Sequence, residues 1–302
     1  MQANTEATAA GTLATTRPVT LGVIVGNRDF FPDSLIAGAR ASITKLFGEL
    51  GLSLVMVDEQ TTKLGGVETR TDAAKCAALF RESASRIDGI LVALPNFGDE
   101  KAVVDCLRAS GLQVPILVQA EPDDLDRLDA ARRRDAFCGK ISVCNNLRQY
   151  GYAFSLTRRH TVGLAAPEFR ADLEWFAAVC RVVRGLRRAR LGALGARPAA
   201  FNTVRFSEKI LERAGVSVVT ADLSSVIGEA QRLPANDPRI AAKAAAITGY
   251  ADASRLPDQK LQLTARLAVA VEAGARRTRS TRRRSSAGTR SRRTTASTRA
   301  PS

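Results

Sequence analysis

From residue 19 onward, short runs of apolar residues alternate with longer stretches in which apolar side chains recur every three or four positions. That rhythm predicts strands and helices in alternation, the pattern of a parallel sheet covered on both faces. Five strands are expected at 21–25, 52–57, 89–94, 115–119 and 153–156, each bounded by Gly, Pro, Asn or Asp. A helix over 34–50 would place Leu35, Ala39, Ile43, Leu46 and Leu50 on one face, with Asp33 or Ser34 as its cap. Another opens at Thr71-Asp72 and would bury Ala74, Ala78 and Leu79.

After Pro167 a helix over 168–187 carries the only Trp and leads to a second strand-helix-strand unit: strand 190–194, helix 202–214, strand 216–220. Three further helices begin near Asp222, Asp237 and Asp258. The expected organisation is an N-terminal segment 1–17 without structure, a first α/β domain over 18–164, a second over 165–273, and a tail over 274–302. No repeat of fixed period is present that would suggest a solenoid.

Charge sharpens the picture of the tail. The chain of 302 residues has a formal net charge of +15, a total that normally suggests nucleic acid or an anionic surface. Ten arginines and no acid lie within 276–302, so most of that excess sits at one end. From Gly274 only Gly, Ala, Arg, Thr, Ser and Pro occur, and such a segment has nothing to bury against its backbone entropy and is expected to be disordered. It reads as the residues GC-rich codons give out of frame, hence a frameshift or truncation product, or as a basic arm contacting phosphates non-specifically and without aromatic stacking. Five cysteines without a Cys-x-x-Cys, and no leader or apolar span, point to reduced thiols and a cytoplasmic protein with no membrane partner.

Candidate chemistry gathers where strands end. The turn Gly26-Asn27-Arg28-Asp29-Phe30-Phe31-Pro32 follows the first strand at the carboxyl edge of the sheet, where open α/β folds hold ligands. There Arg28 either forks onto a pair of hydroxyls or an anion, with Asn27 beside it, or is a solvated turn arginine. The turn has no Gly-x-Gly-x-x-Gly and no Walker-type Lys, which argues against dinucleotides and nucleoside triphosphates. Asn96, in Leu94-Pro95-Asn96-Phe97-Gly98-Asp99, is either a polar ligand contact or part of a Pro-initiated turn whose Asp99 caps the next helix. Arg197 and Asn202 occupy the matching loop after the first strand of the second unit. Glu121, Asp123, Asp124, Asp126 and Asp129 read as a solvated face rather than a metal site, and the single histidine, His160, sits among arginines. One histidine excludes a Ser-His-Asp triad, while a pairing of Cys138 or Cys144 with His160 stays open.

The segments 22–28, 94–99, Cys138-Gly139-Lys140 and 195–206 together resemble the L-fucose isomerase-like family, over roughly residues 18–273. The resemblance implies an α/β protein of two Rossmann-like (flavodoxin-like) parallel-sheet domains, followed in the family by a third, mainly β domain. It implies interconversion of an aldose and a ketose with a divalent cation, typically Mn²⁺, through an ene-diol. It also implies a monosaccharide substrate and a homo-oligomer in which Arg28 contacts substrate in the neighbouring subunit. Asn27, Arg28, Asn96, Arg197 and Asn202 are the substrate-binding candidates. The family's metal-binding Glu, Asp and His have no matching positions here, so no catalytic or metal residue is assigned. The alternatives are a sugar- or effector-binding module without catalysis and a basic-tailed protein associated with nucleic acid.

Overall fold

The computed structural model describes residues 17–129 and 132–290, with side chains as far as Arg276. It consists of two compact units that divide after Arg187.

The first unit is built on five parallel strands, β1 (Thr20–Val25), β2 (Ser53–Met56), β3 (Gly89–Leu94), β4 (Ile116–Ala120) and β5 (Ser155–Leu156), in the order β2-β1-β3-β4-β5. Every strand except β5 lies within one residue of its expected start. Helix α1 (Ser34–Glu49) and helix α5 (Pro167–Leu186) cover one face. Helices α2 (Arg70–Glu82), α3 (Glu100–Ser110) and α4 (Ala136–Gln149) cover the other. Side chains of each central strand divide between the two cores. In β3, Ile90, Val92 and Leu94 face one layer, while Leu91 and Ala93 face the other. A strand buried on both sides needs apolar residues at every position, which is why the sequence shows runs here rather than alternation.

Helix α5 belongs to this first unit, so the expected domain boundary at 164/165 moves to 187/188. The reason is its inner face. Phe169, Leu173, Phe176 and Cys180 are fully buried against the sheet, and Gly89 at the start of β3 has no side chain because Cys180 Sγ would lie 2.4 Å from a Cβ there. At the amino edge Arg184 Nη1 donates to Asp88 Oδ2 at 2.8 Å, and Arg17 donates to both oxygens of the same carboxylate at 2.9 and 2.6 Å.

The phase of α2 also differs from expectation. Thr69 caps it, accepting from the Asp72 backbone N–H while the Asp72 carboxylate accepts from the Thr69 N–H. Its buried stripe is Ala73, Cys76, Ala77 and Phe80 rather than Ala74, Ala78 and Leu79. The acid-rich stretch after β4 is an irregular loop, not a helix.

The second unit pairs two parallel strands, β6 (Arg190–Leu194) and β7 (Ser217–Ala221), with Leu191 opposite Val218. The helix expected over 202–214 is a short 3-10 turn (Asn202–Val204) followed by α6 (Glu208–Arg213), because the Ser207 hydroxyl caps a new start by accepting from the Ile210 N–H. Helices α7 (Leu223–Arg232), α8 (Pro238–Tyr250) and α9 (Asp258–Arg290) follow, α7 and α8 opening on Asp222 and Asp237 as N-caps. A small core of Ile240, Ala244, Ala265 and Val269 joins α8 to α9. The sheet itself is barely covered: Leu191 and Leu194 are half exposed. The backbone of α9 continues to Arg290. The remainder of the expected tail, 291–302, and the segment 1–16 lie outside the described residues.

Candidate functional site

In a sheet ordered 2-1-3-4-5 the connection leaving β1, through α1 to β2, and the one leaving β3, through α3 to β4, run to opposite sides of the sheet, and the crevice at the carboxyl ends of β1 and β3 is the expected ligand position. Asn27 closes β1 there and Asn96 follows β3. Both are fully buried, and Asn96 Nδ2 donates to Asn27 Oδ1 at 2.6 Å. Asn27 Nδ2 donates in turn to Asp33 Oδ1 at 2.9 Å and Glu68 Oε2 at 2.8 Å, while Asn96 Oδ1 accepts from the Gly98 N–H at 3.1 Å. Their polar atoms are engaged within the protein, and the pair rivets the two turns together. Asp99 caps α3 by accepting from the Ala102 N–H at 2.8 Å.

What the two turns present outward is aromatic and cationic. Arg28 lies over the Phe97 ring, 4.7 Å from its centroid, and has no carboxylate partner among the described residues. Phe97 stacks on Phe31 at 5.8 Å, Phe31 on Phe30 at 4.7 Å, and Arg133 lies over Phe31 at 5.6 Å. Phe30 is 66% exposed. Most of the neighbouring cations are already paired: Arg127 with Asp124, Arg132 with Asp129 and Arg133 with Asp135. The sequence pattern did not single out these rings, although Phe30, Phe31 and Phe97 lie in the turns that follow β1 and β3.

The Cys138-Gly139-Lys140 segment has a structural task at this edge. A Cβ on Gly139 would sit 1.6 Å from the Phe97 carbonyl oxygen, so glycine lets the first turn of α4 seat the Phe97 turn. Lys140 is buried, and its Nζ donates to Thr157 Oγ1 at 2.7 Å and to the His160 carbonyl at 2.9 Å, holding the loop after β5. Burial pushes the Lys140 ammonium down to about 8. Glu121, grouped by its sequence with exposed acids, is instead partly buried at the end of β4. Its Oε1 accepts from the Leu164 N–H at 2.8 Å, and desolvation raises its carboxyl above the ordinary range.

The other candidates stand apart. His160 is exposed, its ring tilted against Phe137 at 5.4 Å. Burial pushes the Cys144 thiol up, which disfavours a thiolate nucleophile. In the second unit Arg197 Nη1 donates to the carbonyls of Pro198, Ala199 and Phe201 at 2.9 to 3.1 Å and approaches Asn202 Oδ1 at 3.5 Å, so this arginine folds its own loop. Among the described residues no three His, Cys, Asp or Glu side chains converge as a cation would need. No described helix is long and apolar enough to cross a membrane.

No curated protein matches the chain. The family model described as "Fucose/sulfoquinovose isomerase, N-terminal domain" matches residues 22–187, from within β1 to the end of α5 and just over half of the chain. On that match, the chain belongs to the fucose/sulfoquinovose isomerase family through its N-terminal domain.

Proposed function

We propose that this chain is the sugar-binding scaffold of an aldose–ketose isomerase, and that its first unit receives a monosaccharide at the carboxyl edge of β1 and β3. Arg28 carries the reading. A guanidinium held by a ring face instead of an acid keeps its N–H donors for hydroxyl groups, and Arg28 lies over Phe97 at the switch point of the sheet. The exposed Phe30 ring offers an apolar face for the C–H side of a pyranose. Asn27 and Asn96 act as positioning residues that hold Arg28 and Phe97 in register, and Arg197 with Asn202 forms a second, weaker candidate contact. Family membership favours an oligomer in which Arg28 meets sugar bound by a neighbouring subunit, and five free cysteines favour a cytoplasmic setting.

Aldose–ketose interconversion moves a proton between adjacent carbons and, in this family's manner, uses a divalent cation such as Mn²⁺ to polarise the oxygens. The described residues do not fit that cation. Asp123 Oδ1 accepts from the Arg134 and Asp135 N–H groups, Asp124 and Asp129 pair with arginines, and Glu121 Oε1 is bound to the Leu164 N–H. We therefore assign this chain binding without turnover, with the metal-bearing catalytic part absent from its described residues.

Calorimetry on the full chain with pentoses, hexoses, deoxy-hexoses and a sulfonated hexose, each with and without Mn²⁺, tests both halves of the reading. Heat with at least one sugar is expected, with affinity reduced at least about tenfold in Arg28→Ala, and no ketose should form from any aldose. Absence of heat with every sugar would sink the binding site. Ketose formation would sink the assignment of binding alone.

A further inference from the structure

Helix α5 has two faces of different character. Its inner face is the buried row already described. Its outer face carries Ala171, Trp175, Ala178, Val182 and Gly185, spaced four, three, four and three residues apart, with Val179 and Leu186 alongside. This is the spacing of a helix–helix seam. Trp175 is 51% exposed, Val182 59% and Leu186 52%, while Ala171, Ala178 and Val179 are partly exposed. A continuous apolar stripe of this kind marks a contact surface.

We propose that this face joins two copies of the chain, with the two α5 helices antiparallel about a two-fold axis. Charge selects the occupant. Among the exposed residues of α5 and its C-cap, the acids Glu168 and Glu174 lie in the first half, and the bases Arg181 and Arg187 in the second. Only a surface with the reverse polarity complements both ends, and the same helix turned end for end has it. Glu174 then faces Arg181 of the partner subunit, and symmetry makes the pair twice, as a self-complementary contact requires. The seam also alternates large and small: the Trp175 ring sits over Ala178 of the partner subunit, and the small residues allow close approach of the two helices. The present ties of these charges are slight. Glu168 pairs with Arg159 at 3.2 Å and Glu174 reaches Arg170 at 3.8 Å, both on exposed surface where such pairs are weak, and Arg181 has no ion pair among the described residues.

The inference is independent of the sugar site. Trp175 is the only tryptophan in the chain, so its emission reports this face alone. Sedimentation of the full chain should show a monomer–dimer equilibrium, and Trp emission should shift to shorter wavelength along the same concentration curve. Glu174→Arg and Arg181→Glu should each weaken the dimer at least about tenfold, by placing like charges opposite one another, and the double variant should restore it to within about threefold. Circular dichroism of each variant confirms that the fold is retained. A monomer at all concentrations, a dimer whose Trp emission does not change, or single reversals without effect would each overturn the proposal.

Discussion

Strands β1 and β6 begin almost alike, Leu21-Gly22-Val23 against Leu191-Gly192-Ala193, and each runs within a few residues into a Gly-x-Arg turn, at Arg28 and Arg197. Their fates differ completely. Every residue of β1 is buried, whereas β6 is exposed along most of its length. The glycines make the contrast local. A Cβ on Gly22 would meet the Phe80 ring at 2.9 Å, and one on Gly192 would meet nothing within 4 Å. Burial is therefore conferred by the layers packed on a strand, and the second unit has the strand sequence of a covered sheet without the cover. The same contrast runs through the arginines: Arg28 is braced by a ring that another element supplies, while Arg197 is bound to the carbonyls of its own loop.

The largest expected effect comes from the buried ion cluster that fixes α5 to the first sheet. Asp88→Ala removes the buried carboxylate that accepts from Arg184, Arg17 and the Thr20 N–H together, and should cost about 3–5 kcal/mol of first-unit stability in urea unfolding. A loss below about 1 kcal/mol would mean that this unit is less consolidated than its burial indicates. The paired glycines report the cover on each strand. Gly22→Ala should destabilise by about 1–3 kcal/mol through overpacking against Phe80. Gly192→Ala should be neutral or stabilising by up to about 1 kcal/mol, since alanine only restricts the unfolded chain there. Equal effects at both sites would break the contrast.

A smaller, pH-dependent effect reports the burial of Lys140 in the first unit. Its folded value of about 8 lies below the ordinary 10.5, so between these values the unfolded chain binds more protons, and this group makes stability rise with pH. The Cys180 thiol, pushed up to about 12 by burial, contributes in the opposite direction above pH 9. The informative quantity is the difference between the native chain and Lys140→Met. The native chain should gain stability relative to the variant as pH rises from about 8 to about 10. A difference that does not change with pH would show that the ammonium is not held in a dehydrated site.

Much of the first unit was legible because parallel strands buried on both faces leave unbroken apolar runs, and β1, β3 and β4 were placed within one residue on that signal alone. The phase of α2 was not, since it depends on which residue becomes the cap, and the Thr69–Asp72 reciprocal bonds set the helix one position earlier than its apolar pattern suggested. The domain boundary was missed because helix α5 has apolar residues on both faces, and only the sheet-facing glycine at 89 reveals which way it packs. At the site, the positions of Asn27, Arg28 and Asn96 followed from strand ends. Their division into buried rivets and an outward arginine did not, because it rests on contacts between residues about seventy positions apart. The Phe97 platform was hidden for the same reason: its seat is Gly139, on another element.

The first unit is a consolidated α/β domain, and the second carries an open sheet. Amide hydrogen exchange of the full chain, read strand by strand, measures this difference. Amides of β1, β3 and β4 should exchange only through global opening of the first unit, at rates at least about a hundredfold slower than those of β6 and β7. Protection of β6 and β7 equal to that of β1 and β3 would mean that the second sheet is as well covered as the first.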